Sequence, residues 1–170
     1  MLVIETRRCA LRDFLPEDEA AFAAYQRDPR FAAAREEAGQ EAADPAWLLR
    51  LFAEWAAEEP RLNFQLAVID RADGALIGCA GLRTKDCAEG QGELGIELAA
   101  DYWSRHGLAL EIARALIDFG LSRLALSEIV GITTYRNRKA ARLAAFLGGR
   151  LEEAPAGGAV WRFEKSAIGS

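Results

Sequence analysis

The amino-acid sequence predicts a single mixed α/β domain. Three observations support this class: several short segments alternate apolar and polar residues, the segments between them repeat apolar residues at helical spacing, and the chain has 170 residues of which 51% are hydrophobic. The early strands follow one another directly, whereas the later order is strand, helix, strand, which is typical of a crossover between parallel strands. We expect residues 1–170 to fold as one soluble domain.

Strand and helix signals alternate in the first third of the chain. Residues 2–14 alternate as a strand does. A proline followed by two acidic residues marks the start of a helix over about residues 17–27. Asp44 with Pro45 marks the start of a second helix, whose apolar stripe includes two tryptophans. Residues 30–43 between them are rich in Ala and Glu and indicate a helical or mobile connection.

Strand patterns return after Pro60. Residues 64–69 and 76–82 predict a hairpin with a Gly-containing turn, and residues 93–98 predict a further strand. Along that further strand the apolar residues fall on one face and two carboxylates on the other, namely Leu94, Ile96 and Leu98 against Glu93 and Glu97.

The last third of the chain predicts a helix, a strand, a second helix and a terminal hairpin. The helices cover about residues 107–123 and 137–147, and the strand between them covers residues 128–134. One Gly-Gly pair ends the second helix, and the terminal hairpin turns at another, residues 157–158. We expect residues 165–170 to be frayed.

Charge and hydropathy exclude several functional classes. Twenty-one Lys and Arg residues against 26 Asp and Glu give a formal net charge of −5, so a general basic surface for nucleic acid is absent. The longest apolar stretches, such as residues 109–119, are interrupted by charged residues and fall short of the roughly 18 residues that cross a bilayer. The N-terminus lacks the pattern of a secretory signal. We therefore expect a cytoplasmic protein without nucleic-acid or membrane partners.

Cysteine and histidine usage argues against a metal site and against a Ser-His-Asp catalytic triad in this chain. Cys9, Cys79 and Cys87 are odd in number and lack a CxxC spacing, which argues against a disulfide framework or a zinc site and favours free thiols. His106 is the only histidine, so neither a His-rich metal cluster nor a Ser-His-Asp triad can form. We expect no metal cofactor.

The segment 98–111 carries the strongest local signal for a ligand. It runs from a strand through a short turn into an amphipathic helix. A helix N-terminus offers free N–H groups and a positive dipole end, and Arg105 adds charge, so a phosphate is favoured there. Gly107 lets a ligand approach the backbone closely. The spacing is neither a dinucleotide fingerprint nor a P-loop, and taken alone it is more typical of simple packing in α/β domains than of a ligand site.

Five segments, in this order and spacing, resemble the GNAT superfamily of N-acetyltransferases. Within that superfamily they are similar to the branch of ribosomal-protein N-terminal (alanine/serine) acetyltransferases. The resemblance covers nearly the whole chain and implies the GNAT fold, with a central mixed, mostly antiparallel sheet of six to seven strands flanked by about four helices. The segments are ETRRCALR with PED at residues 5–12 and 16–18, LIGCAGL at 76–82, ELGIEL at 93–98, YWSRHGLA at 102–109 and NRKAARL at 137–143.

The resemblance implies acetyl-CoA as cosubstrate. It would lie in a V-shaped opening between the family's fourth and fifth strands, with its pyrophosphate at the start of the following helix. The family pattern [Q/R]xxGx[G/A] falls on residues 104–109, with Ser at its first position. The implied cofactor-binding residues are Leu98, Ser104, Arg105, His106, Gly107, Leu108, Ala109, Asn137 and Arg142.

Three of these residues also have an ordinary structural interpretation. His106 can be an incidental loop residue. Asn137 can cap the last helix, a role that is compatible with binding the pantetheine arm. Arg142 belongs to a basic cluster with Arg136, Arg138 and Lys139, which lies close to the adenosine 3′-phosphate in relatives but is equally explained as a solvated helix face.

Two carboxylates are the candidate catalytic residues. The acceptor ammonium must lose a proton before it attacks, and a partly buried carboxylate can accept that proton directly or through water. Glu97, nearer the cofactor loop, is the favoured base, and Glu93 occupies the Glu position often seen in the branch. The four-residue spacing separates them by about 13 Å along a strand, so they cannot form one acid–base dyad. Each carboxylate can equally be part of an ion pair or a solvated face.

The chain departs from the family at the acid that protonates the leaving thiolate. The Ser and Tyr positions of many members are occupied by Ala140 and Ala144. Helix dipoles, water, Tyr102 or Tyr135 would have to serve instead. We predict an acyltransferase of class EC 2.3.1 that moves acetyl to a primary amine, either a protein N-terminus or a small amine, in a ternary complex. The alternative is a non-catalytic acyl-CoA-binding or sensing module. A homodimer through the terminal hairpin or the Trp-bearing helix is a further option.

Overall fold

Eight strands form one sheet in the part of the chain that the computed structural model describes, residues 1–134, 137–154 and 158–164. Their order across the sheet is β1-β2-β3-β4-β5-β6-β8-β7. All neighbours pair antiparallel except β5 and β6, which are parallel, so the predicted mixed, mostly antiparallel sheet is confirmed. The strands are β1 Val3–Glu5, β2 Cys9–Arg12, β3 Asn63–Asp70, β4 Leu76–Arg83, β5 Gln91–Leu98, β6 Glu128–Thr134, β7 Arg150–Ala154 and β8 Gly158–Glu164.

Five α-helices flank this sheet within the described residues. They are α1 Glu19–Gln26, α2 Pro29–Glu37, α3 Pro45–Ala57, α4 Leu108–Asp118 and α5 Arg138–Phe146. A π-helical turn, Phe119–Arg123, continues α4, so the predicted helix over residues 107–123 is confirmed as a composite. No helix of this described set has both the length and the apolar character needed to cross a bilayer.

The numbers of strands and helices exceed the expected six to seven and about four for two local reasons. Residues 2–14 were expected as one strand, but the chain turns after Glu5, where the hydroxyl of Thr6 accepts the N–H of Cys9 at 2.9 Å, and β1 pairs back onto β2. The undecided segment 30–43 begins as α2, capped by Asp28, whose carboxylate accepts the N–H of Arg30 at 2.8 Å. The predicted turn at Gly157 and the tail at residues 165–170 lie outside the described residues.

The two faces of the sheet are covered differently. On one face α4 and α5 pack over the larger apolar core, which contains Leu98, Leu108 and Ile112. On the other face α1, α2 and α3 bring an aromatic cluster together. Its rings meet edge to face, as between Phe22 and Tyr25 with centroids 5.3 Å apart.

β5 and β6 pair over only three residue pairs. These are Gln91 with Glu128, Gly92 with Ile129 and Glu93 with Val130. Beyond them β5 continues to Leu98 along β4, whereas β6 continues along β8. A V-shaped opening therefore separates the later halves of the two strands, as the resemblance implied.

Gly81→Ala is expected to destabilise the sheet at β4. A Cβ atom on Gly81 would overlap the carbonyl oxygen of Phe64 on β3, a backbone atom that cannot move aside. The expected loss is about 3 kcal/mol of unfolding free energy, measured by urea unfolding.

Gly95→Ala is the matched control for this substitution. Gly95 pairs directly opposite Gly81 on β5, and a Cβ there has only the Nη2 atom of Arg83 nearby, at 3.6 Å. Equal losses in the two variants would contradict the steric explanation.

Candidate active site

The candidate active site lies where β5 and β6 separate. β5 runs through the short helical turn Ala100–Tyr102 into α4, as the segment 98–111 predicted. Trp103 closes this connection because its indole N–H donates to the carbonyl oxygen of Leu98 at 2.7 Å. The start of α4 is thereby held next to the end of β5.

The N-terminus of α4 presents backbone donors. Its N-cap residue, Gly107, has φ 72° and ψ 2°, a left-handed conformation that favours glycine. The N–H of Leu108 donates to the carbonyl oxygen of Arg105 at 3.2 Å. Among the described residues, the N–H groups of Ala109 and Leu110 have no acceptor. This end of the helix therefore offers two donors and a positive dipole end to an anion.

The side chains of the predicted loop differ in exposure. Leu108 is buried in the core and Ala109 is half-buried beside it, so these two residues anchor the helix start. Ser104 and His106 are exposed. The predicted contribution of these residues to cofactor binding thus depends mainly on the backbone.

Arg105 is already engaged with neighbouring groups. Its Nη1 donates to the carboxylate of Asp70 at 2.6 Å, and its guanidinium lies 4.3 Å from the centre of the Tyr102 ring. The pKa of Asp70 is lowered, first by the N–H of Ala72 and then by Arg105. The positive charge of Arg105, which the sequence predicts as a phosphate ligand, is therefore partly neutralised by Asp70 at the end of β3.

Arg8, which is not among the binding residues predicted from the sequence, lies beside the same loop. Its backbone N–H and its Nε donate to the two carboxylate oxygens of Glu111 at 2.7 and 2.8 Å, and its Nη1 donates to the carbonyl oxygen of His106 at 3.1 Å. Its Nη2 lies 3.6 Å from the position that a Cβ on Gly107 would take. No local spacing signals these contacts, because Arg8 and Glu111 are 103 residues apart.

The start of α5 lies near this loop. Asn137 caps the helix, and its side-chain oxygen accepts the N–H of Ala140 at 3.0 Å. Lys139 brings its Nζ to 5.1 Å from the centre of the Trp103 ring, so α5 and the connection after β5 come together. Arg142 is exposed.

Ala144, which occupies the position of the acid that would protonate the leaving thiolate, belongs to the core. Ala144 is 7% exposed and packs in the apolar cluster beneath α5. Tyr102, one proposed substitute, is half-buried beneath the guanidinium of Arg105. The other substitute, Tyr135, and the basic residue Arg136 lie outside the described residues.

Glu97 faces away from the main core, toward α1, as the alternation along β5 predicted. Its Oε2 accepts hydrogen bonds from the Nε2 of Gln26 at 2.8 Å, the hydroxyl of Tyr25 at 3.3 Å and the thiol of Cys79 at 3.6 Å. Burial raises the pKa of Glu97 above its ordinary value, although the three donors act in the opposite direction. A carboxylate with a raised pKa suits a base that works near neutral pH.

The groups around Glu97 form a larger polar cluster. Gln26 is oriented by Arg35, whose Nη1 donates to its side-chain oxygen at 3.1 Å. Cys79 accepts a hydrogen bond from Gln65 at 3.2 Å. Burial, reinforced by the charge of Glu97, raises the pKa of Cys79 well above its ordinary value. The thiol therefore stays protonated as a donor and is not a ready nucleophile.

All three cysteines are free, as their spacing predicted. Cys9 and Cys79 are buried and Cys87 is half-buried. In residues 1–134, 137–154 and 158–164, no three His, Cys, Asp or Glu side chains come together in a way that could hold a metal ion.

Glu93 lies on the same face as Glu97, but in different surroundings. It accepts a hydrogen bond from the Nη2 of Arg83 at 2.7 Å, and both residues line a surface cavity of about 420 Å³ beside Trp55 on α3. Gly95 lies between the two carboxylates on this face and places no side chain between them. The structure thus places the two acids in separate environments, in agreement with the prediction that they do not form a dyad.

The comparisons with known proteins agree on one family. The protein-family model described as "Acetyltransferase (GNAT) domain" matches residues 8–150. A curated relative, the uncharacterized N-acetyltransferase YoaA of Bacillus subtilis strain 168, is 26% identical over 151 residues, which is 88% of this chain and 84% of the relative.

Solved structures show the same fold. An acetyltransferase from Agrobacterium tumefaciens C58 has 25% identity and a TM-score of 0.75, covering 97% of this chain and 95% of its own. The ribosomal-protein-S5-alanine acetyltransferase from Vibrio fischeri has 19% identity and a TM-score of 0.77, covering 100% of both chains. These two structures are similarly close in fold, so the fold alone does not select one branch.

Glu97→Gln is expected to change how stability depends on pH. Because the folded protein holds the Glu97 proton more tightly than the unfolded chain, the unfolding free energy of the wild type falls as pH rises from the ordinary Glu value of 4.5 through the raised pKa. The variant lacks this decrease, so it gains stability relative to the wild type as the pH rises above the ordinary Glu value. Urea unfolding across that range measures the difference, and a constant offset between the two proteins would contradict the assignment.

Proposed function

The chain belongs to the GNAT acetyltransferase family, and we propose that it transfers the acetyl group of acetyl-CoA to a primary amine by direct attack in a ternary complex. The observation that carries this proposal is the opening between β5 and β6, which has the donor-bearing start of α4 at its end and Glu97 on the opposite face of the strand.

The pyrophosphate of acetyl-CoA would bind the loop at residues 104–109. The N–H groups of Ala109 and Leu110 are available to it, and the positive end of α4 favours its charge. Gly107 allows close approach because no side chain stands between the phosphate and the backbone. Ser104 and His106 are exposed, so they would contribute through their backbone in the turn rather than through buried side-chain contacts.

The pantetheine arm would follow the edge of β5 that β6 leaves unpaired, ending at Leu98. Asn137, at the start of α5, would face this arm while its side chain caps the helix. The exposed cations Arg138, Lys139 and Arg142 would lie near the adenosine 3′-phosphate.

Glu97 would act as the base. Its carboxylate takes a proton from the acceptor ammonium, directly or through one water. The neutral amine then attacks the thioester carbon, a C–N bond forms, and the C–S bond breaks to release the CoA thiolate. The proton that the amine nitrogen loses in this step reaches the thiolate through water, since Ala144 supplies no acid. The buried, protonated thiol of Cys79 argues against an acyl-cysteine intermediate.

The acceptor would be a primary amine, either a protein N-terminus or a small amine. The net charge of −5 and the exposed carboxylates Glu36, Glu37 and Glu41 near α2 favour a cationic acceptor. The Vibrio fischeri enzyme is named for a ribosomal-protein alanine, which is compatible with a protein acceptor but does not favour it over a small amine. A homodimer through the terminal hairpin or through α3, where Trp47 is 49% exposed, and a cytoplasmic location remain predictions.

Ala109→Glu is expected to abolish most of the affinity for acetyl-CoA and CoA. The new carboxylate would occupy the pyrophosphate region and repel the phosphates. Calorimetric titration measures the effect, and a loss of at least about tenfold is expected. Ala115→Glu is the control, because it places the same charge at a half-buried position of α4 about 9 Å farther along the helix. Equal losses in both variants, or no binding by the wild type, would contradict the proposed cofactor site.

Glu97→Gln is expected to lower kcat by about 10²- to 10⁴-fold while the affinity for acetyl-CoA stays unchanged. Thiol release with a panel of peptide α-amines and small primary amines measures the rate. The low-pH limb of the wild-type rate profile, which reports ionisation of a carboxylate with a raised pKa, should disappear in the variant. Cofactor binding without transfer to any amine would favour the non-catalytic alternative.

A further inference from the structure

We propose that Arg8 binds the pyrophosphate of acetyl-CoA directly, as the side-chain partner of the backbone donors at the start of α4. This inference rests on the proposed function, since it requires acetyl-CoA at the loop of residues 104–109. It adds to the site a residue from the turn between β1 and β2, which is distant in sequence from that loop.

The guanidinium of Arg8 is held in place before any ligand arrives. Its Nε donates to Glu111 at 2.8 Å and its Nη1 donates to the carbonyl oxygen of His106 at 3.1 Å. Its side chain is 33% exposed. Much of the conformational entropy that a flexible arginine loses on binding a phosphate has therefore been lost already on folding.

Arg8 also retains unused donors that lie at the loop. A guanidinium carries five N–H groups, and within the described part of the chain its Nη2 donates to no acceptor. That nitrogen lies 3.6 Å from the Cβ position of Gly107, and the free N–H groups of Ala109 and Leu110 follow Gly107 within two and three residues. The side-chain donor and the backbone donors converge on one place.

The pairing with Glu111 makes Arg8 necessary for electrostatic reasons as well. Glu111 places a carboxylate in the first turn of α4, and although burial acts to raise its pKa, the neighbouring Thr6 and the hydrogen bonds from Arg8 lower it below its ordinary value. An unpaired carboxylate there would repel a phosphate. Arg105, favoured from the sequence, donates to Asp70 and so supplies less of this balance.

The test compares ligands that differ in their phosphates. Acetyl-CoA, acetyl-3′-dephospho-CoA and S-acetylpantetheine are titrated into the wild type, Arg8→Gln and Arg7→Gln. We expect Arg8→Gln to bind the two pyrophosphate-containing ligands roughly ten- to hundredfold more weakly and to bind S-acetylpantetheine as the wild type does. Arg7 is exposed and adjacent in the chain, so Arg7→Gln controls for the loss of one charge and should bind all three ligands normally.

A double variant separates direct binding from an effect through Glu111. If Arg8 only neutralised that carboxylate, Arg8→Gln combined with Glu111→Gln would recover wild-type affinity, and this recovery would overturn the proposal. We expect the double variant to remain weak. Equal affinities of Arg8→Gln and Arg7→Gln, or equal weakening toward S-acetylpantetheine, would also overturn it.

The experiment also distinguishes a misfolded Arg8→Gln variant, and a failure of the proposed function, from a failure of the proposal for Arg8. If Arg8→Gln does not fold, Arg8→Lys keeps the charge but cannot reach Glu111, His106 and a phosphate at once, so the expected result is an intermediate, pyrophosphate-dependent loss. Failure of the wild type to bind acetyl-CoA refutes the proposed function, whereas normal binding by both the wild type and Arg8→Lys refutes only the role of Arg8.

Discussion

The parting of β5 and β6 is the constraint on which the rest of the site depends. Up to Glu93 the two strands pair with each other, and among the described residues β5 has only β4 as a strand partner from Leu94 onward. Backbone N–H and C=O groups without a partner must find water or a ligand. Side chains hold the base of the opening together, since Glu128 accepts hydrogen bonds from both Gln91 and Arg162 at 2.7 Å. Backbone pairing and side-chain hydrogen bonds thus close the opening at one end, and the two strands do not pair at the other.

One strand serves both faces of the sheet. Ile96 and Leu98 contact the apolar core that anchors α4 and its loop, whereas Glu97 between them reaches the polar cluster beneath α1. This division follows from the alternation of side chains along a strand. A register shift of one residue would exchange the two roles, burying the carboxylate under α4 and exposing the anchors. The antiparallel pairing of Glu97 with Cys79 on β4 fixes the register that the chemistry needs.

Local patterns in the sequence predicted the elements and the loop, but not the partners of the site residues. The alternation along β5 and the helix start at Gly107 are short-range signals, and both are confirmed. The contacts of Glu97 with Gln26 and of Arg8 with the loop join residues 71 and about 100 positions apart, so only tertiary packing creates them. The sequence does not distinguish a helix from a mobile connection at α2, because Phe31 is the only buried residue of this helix and one apolar residue forms no helical stripe.

The two proposed substrate regions lie on different sides of β5, and this arrangement bears on the order in which the substrates would bind. The start of α4 faces the opening, whereas Glu97 and Gly95 face the helices α1 and α3. Under the proposed function, an amine arriving beneath α1 does not cover the cofactor loop, and a cofactor held at the loop does not seal the amine side. Neither substrate is trapped under the other. The proposed geometry therefore imposes no compulsory order of binding and release, and it is compatible with a random-order kinetic scheme.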